Sequence, residues 1–76
     1  MALIKRYSSF YQVFELKHLK KGYSIIERVV NKQGYFEIEF KHSGIKSLSE
    51  ASTEINSLVR DMEINRGTVF TAQSVY

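Results

Sequence analysis

The side chains that could do acid–base chemistry in this chain are His18, His42 and the pair Glu37 and Glu39. Histidine is the side chain that titrates naturally near neutrality. His18 stands just before the basic turn Lys20-Lys21, and His42 continues an apolar alternation; both read as structural or surface residues. Glu37 and Glu39 lie two positions apart on one strand face, about 7 Å between α carbons. Paired carboxylates at such a separation can serve as acid and base in sugar chemistry, but a solvated strand face explains them better. The sequence has no Cys, which removes disulfides, thiolate metal sites and thiol nucleophiles. Two separate histidines without clustered Asp give no ligand spacing, and Gly22, Gly34, Gly44 and Gly67 are too scattered for a phosphate loop. The expectation is a protein that is not an enzyme, with no cofactor and no metal.

The elements that must carry the remaining residues follow from apolar period. Ser8 to Leu16 sets Phe10, Phe14 and Leu16 on one parity and Tyr11, Val13 and Glu15 on the other, a strand with one apolar and one mixed face. Lys20-Lys21-Gly22 reads as a turn. Tyr23 to Val30 is β-branched and apolar on both parities, as in a central strand covered at least partly on both sides. After the turn Asn31 to Gly34, Phe36, Ile38, Phe40 and His42 alternate with Tyr35, Glu37, Glu39 and Lys41, and Ser43-Gly44 ends the strand. The period then changes to 3.6. Ser47-Leu48-Ser49-Glu50 fits a capping box, Leu48, Ala51, Ile55, Leu58, Val59 and Met62 form one helical face, and Gly67 is placed as a left-handed stop.

These readings predict an α+β fold over residues 1–76: a three-stranded antiparallel β-meander with one amphipathic helix on one face, in the order β-β-β-α. Residues 68–76 are expected to be a fourth strand, a docked tail or a dimer-forming segment. The predicted core is Phe10, Phe14, Leu16, Ile26, Val30, Phe36, Ile38, Phe40, Leu48, Ala51, Ile55, Leu58, Val59 and Met62. Ile25 and Val29 fall on the opposite parity and leave an apolar strip on the second face.

A sequence pI near 9.3 raises the question of nucleic acid. Up to residue 46 the chain carries nine Lys/Arg against four Glu, a balance of +5; from residue 47 Arg60 and Arg66 face Glu50, Glu54, Asp61 and Glu63, a balance of −2. A basic sheet is set against an acidic helix, which disqualifies the helix as a phosphate-facing reader. Lys5, Arg6, Lys17, Lys20 and Lys21, with tyrosines as stacking platforms, remain the basis of an accessory DNA/RNA-binding alternative. The strand–strand–strand–helix order is similar in layout to the arm-type DNA-binding domains of phage integrases, a likeness of layout that carries no residue.

With 13% aromatic residues and a leftover apolar strip, the chain is expected to be a small binding protein, a regulator or inhibitor that occupies a surface of a larger protein. The expected contact residues are Tyr11, Val13, Tyr23, Ile25, Tyr35, Glu37 and Glu39. A structural homo-oligomer is the further alternative. The composition suggests a phage or mobile-element product, and the lack of an apolar leader or spanning segment suggests a cytoplasmic one.

Overall fold

The computed structural model describes residues 2–33 and 37–67. Strands β1 (Ala2–Arg6), β2 (Phe10–Leu19), β3 (Gly22–Asn31) and β4 (Glu37–Ile45) are followed by helix α1 (Leu48–Asp61), which continues into a π-helical turn over Met62–Arg66. The strands form one antiparallel sheet in the order β1-β2-β3-β4. The meander with a helix on one face is therefore present. Its fourth strand is Ala2–Arg6, while the expectation for residues 68–76 lies outside the described residues. The β1–β2 connection is held by the Tyr7 amide donating to the Phe10 carbonyl at 3.0 Å and by stacking of the two rings, centroids 4.5 Å apart.

The face that α1 covers differs from the expected one on β3. Phe10 and Phe14 of β2 point to the helix as anticipated, but on β3 they are joined by Ile25 and Val29, not by Ile26 and Val30. The reason lies in the register, which puts Phe14 opposite Glu27 and Tyr11 opposite Val30. Facing residues share a side of a sheet, so the Tyr11 parity carries Val30 and, two pairs along on the same face, Glu15 carries Ile26. One apolar cluster is Phe10, Val29 and Met62 with Tyr7, Ile38 and Phe40 packed against it; the other is Phe14, Ile25, Ile45 and Ala51 with Leu16, Tyr23, Ile55, Leu58 and Val59. Phe36 lies outside the described residues. Leu48, expected in the core, is 57% exposed because the first helical turn overhangs a groove of about 260 Å³ that it shares with Leu3, Leu16, Ala51 and Ile55.

Two glycines shape the sheet. Strand β4 does not stop at Ser43-Gly44 but runs on to Ile45. Pairing steps from Ile25–His42 to Tyr23–Ile45, so β4 carries an extra residue there, and Gly44 takes it up at φ 78°. A bulge of this kind shifts the side-chain alternation by one. Ile45 is thereby turned into the core beneath Ala51, where strict alternation would have pointed it outward. Gly22 passes so close to β4 that an added Cβ would run into the Ile45 carbonyl oxygen.

The helix begins as expected, with the Ser47 hydroxyl accepting the Glu50 amide at 3.1 Å. The Glu50 carboxylate reaches one residue farther back than a capping box requires, accepting the Lys46 amide at 2.7 Å. The end differs more. Gly67 is right-handed, φ −59°, and its amide donates to the Met62 carbonyl, a π-type bond, so it is not the left-handed stop that was expected. An added Cβ on Gly67 would lie 2.7 Å from that same carbonyl oxygen, so the tight turn itself accounts for the glycine.

Candidate interaction surface

The sheet face opposite α1 is covered by no described element. Its residues follow from the register in three rows across the strands. One row holds Arg6, Tyr11, Val30 and Glu37; the next Ile4, Val13, Arg28 and Glu39; the third Ala2, Glu15, Ile26 and Lys41. At the centre, Arg28 is held between two carboxylates, its Nε donating to Glu39 at 3.1 Å and one terminal nitrogen donating to Glu15 at 3.5 Å. Arginine held by two partners has a fixed head group, and Arg28 stands opposite Val13 of β2. Lys32 reaches from the β3–β4 turn to within 5.4 Å of the Tyr11 ring centre, a cation–π contact at one margin. That turn is shaped by Asn31, whose side-chain oxygen accepts the Gln33 amide at 2.8 Å.

Four of the expected contact residues, Tyr11, Val13, Glu37 and Glu39, therefore share this open face. Tyr23 and Ile25 do not. Ile25 is fully buried under α1, so its assignment to a contact surface is corrected by the same parity inversion; Ile26, on the other side of the sheet, is itself buried at 8% exposure, as expected of a core residue. Tyr23 packs against the Ile25 cluster and stacks on His18, centroids 4.8 Å apart. Tyr35 lies outside the described residues. Sequence reasoning passed over Arg28, Glu15 and Ile4, although Glu15 and Arg28 share the alternation of Tyr11 and Val13 and so were findable once the β2–β3 register was fixed.

The basic residues of the nucleic-acid alternative are not gathered. Arg6 and Lys17 lie on the open face but in rows about 20 Å apart, with Glu15 between them on β2. Lys5 belongs to the helix side of β1, and Lys20 and Lys21 sit in the β2–β3 turn at the far end of the sheet from Arg6.

On the covered face, a polar cluster unforeseen from the sequence ties helix to sheet. The Glu27 side chain is 0% exposed. Arg66 donates to its Oε2 at 2.7 Å, Gln12 Nε2 donates to the same oxygen at 2.7 Å, and His42 Nε2 lies 2.9 Å from Oε1. Tyr7 in turn donates to Gln12 Oε1 at 2.8 Å, and Gln12 also reaches the Leu58 carbonyl at 3.3 Å. Burial is the largest influence on Glu27 and would push its carboxyl up, but the hydrogen bonds from Arg66, Gln12 and His42 and the Arg66 charge together outweigh it and hold the group below the ordinary range. Glu27 is thus a carboxylate, and the His42 nitrogen beside it is the donor. The Tyr7 hydroxyl is pushed up to about 12 by burial and by the nearby Glu63 charge. Arg66 also pairs with Asp61 at 2.9 Å and lies over the Phe40 ring. Shut from solvent and held by Arg66, Gln12 and His42, the Glu27 carboxylate ties the end of the helix to the sheet.

No protein-family model, curated protein or solved structure matches this chain. Among the described residues there is no group of three or more His, Cys, Asp or Glu able to hold a metal ion, and no helix long and apolar enough to cross a membrane.

Proposed function

We propose that this chain is a small non-enzymatic binding protein, a regulator or inhibitor that lays the open face of its sheet on a larger protein. One observation carries the reading: a sheet face that no described element covers, with Tyr11, Val13 and Val30 around an arginine already locked by Glu15 and Glu39. Aromatic and arginine side chains dominate binding energy at protein interfaces, and those already ordered lose less entropy on docking. Carboxylates Glu37 and Glu39 line the β4 margin, so the fitting partner surface is apolar at its centre and basic along one edge.

The test is capture from the native host with the wild-type chain and with Tyr11→Ala and Arg28→Ala variants, followed by binding of the purified partner. Each variant is expected to weaken that binding by about tenfold or more, an interface hot-spot effect, with little dependence on salt. Wild-type binding by both variants would sink the face assignment. Steeply salt-dependent binding to DNA or RNA, abolished by changes at Lys17, Lys20 and Lys21, would replace the reading with the nucleic-acid one.

A further inference from the structure

We infer that β1 is a pairing edge for a second copy of this chain, joined antiparallel about a two-fold axis through Ile4 so that two sheets become one. The inference concerns the main-chain edge of the sheet and does not rest on the function proposed above. Strand β1 ends the order β1-β2-β3-β4, and no described residue pairs with its outer side. All five of its residues are exposed, including Ile4 at 55% and Leu3 at 48%. An apolar edge of this kind is a template for another strand.

The hydrogen-bond phase fixes which residues can offer their main chain. The Tyr7 amide donates to Phe10, which continues the register Arg6–Tyr11, so Tyr7–Phe10 is a hydrogen-bonded pair. In an antiparallel ladder such pairs alternate with non-bonded ones. Lys5 and Leu3 therefore bond to β2, while Arg6, Ile4 and Ala2 direct their amides and carbonyls to the open edge. A symmetric antiparallel pairing can centre on one of these or on a non-bonded position between them: centring on Lys5 sets two ammonium groups side by side, and centring on Leu3 leaves Lys5 and Arg6 without partners among Ala2–Arg6. Centring on Arg6 sets two guanidinium groups side by side, and centring on Ala2 leaves Ile4 and Arg6 without strand partners. Centring on Ile4 pairs Ile4 with Ile4, Ala2 with Arg6 and Arg6 with Ala2.

Side chains complete this register and single out a second copy over a foreign strand. Ile4 meets its counterpart on the open face, with Val13 behind it in each copy. Arg6 lies opposite the second copy's Ala2, whose own neighbour on β2 is Glu15. Two strand spacings, about 9.6 Å, separate Arg6 from that Glu15, and the short methyl of Ala2 leaves the path open for an ion pair. Within one chain and among the described residues, the ion pair of Glu15 is the 3.5 Å contact with Arg28. The pairing is reciprocal, so both copies gain it, and Lys5 falls opposite Leu3, keeping the basic residues apart. Lys5 and Arg6 thus discourage strands that lack the matching carboxylate while accepting a copy that has it.

The absence of native cysteine makes a register test direct. Sedimentation at concentrations on the order of 100 µM, suited to a small and weak interface, is expected to show a monomer–dimer equilibrium. Under mild oxidation Ile4→Cys should cross-link to itself, since hydrogen-bonded partners have α carbons about 5.5 Å apart. Ala2→Cys and Arg6→Cys should cross-link only when mixed, and Leu3→Cys not with itself. Ile4→Lys, at an exposed position that leaves the monomer intact, should raise the dissociation constant about tenfold or more by opposing like charges. A monomer at every concentration overturns the inference. So does a dimer indifferent to Ile4→Lys, or one in which Arg6→Cys or Leu3→Cys links to itself as readily as Ile4→Cys.

Discussion

Replacing Arg66 by alanine removes the shortest cationic contact of Glu27, the 2.7 Å hydrogen bond that closes the end of the helix onto the sheet. Breaking a buried ion pair from one side costs about 3–5 kcal/mol. The low end, about 3 kcal/mol, applies here, because Arg66 is 26% exposed and Gln12 and His42 stay in place. Against the roughly 4–11 kcal/mol total expected for a chain this long, that is a large fraction, and it corresponds to a fall in Tm of about 12–24 °C. The pH dependence should also change sign. In the wild type the Glu27 carboxyl is held below its unfolded value, so its contribution is complete above about pH 4.3 and is lost as pH falls through the folded value. In Arg66→Ala, burial is expected to prevail over the Gln12 and His42 bonds, which sets the folded carboxyl above the unfolded one, and stability should increase as pH falls through that raised value. Denaturant unfolding followed by circular dichroism at pH 7, 5 and 4 measures both effects. Adding Glu27→Gln should remove the variant's pH dependence and recover about 1–2 kcal/mol of the loss, since no charge is then left buried. A cost under about 1 kcal/mol with a pH profile parallel to the wild type would refute the reasoning.

Two further outcomes follow from the backbone and the phenol. Gly44→Ala should cost about 1 kcal/mol, a purely conformational penalty, because nothing lies within 4 Å of the added Cβ; Gly22→Ala should cost clearly more because its Cβ meets the Ile45 carbonyl oxygen. Equal or reversed denaturation midpoints would contradict this account of the bulge. The Tyr7 phenol should ionise near pH 12, seen as a phenolate absorbance step absent from Tyr7→Phe. Because its folded value is raised, its stabilising contribution is complete below the unfolded value of about 10 and is lost as pH climbs towards 12.

The meander and the helix were legible because two periods separate them. Phe10 and Phe14 alternate at period two, Ala51, Ile55, Leu58 and Met62 recur near 3.6, and Ser47 announces the change with a hydroxyl that caps the Glu50 amide. Strand β3 was not legible in the same way. Its two faces read Ile25-Glu27-Val29 and Ile26-Arg28-Val30, each a charge between two β-branched residues, so alternation alone has no preference for either. The choice is made by partners distant in sequence. Arg66, Gln12 and His42 converge on Glu27 from the helix end and both flanking strands, whereas Glu15 and Glu39 meet Arg28 from strands alone. A buried carboxylate with a cation and two further donors is tolerable; the same site holding an arginine would need carboxylates that the helix does not direct inward. The face on which Arg28 lands, and with it the composition of the open surface, is therefore set by a helix terminus 39 residues away from Glu27 in the chain. The same logic explains β1, whose five residues carry too little alternation to announce a strand and gain one only by pairing with β2.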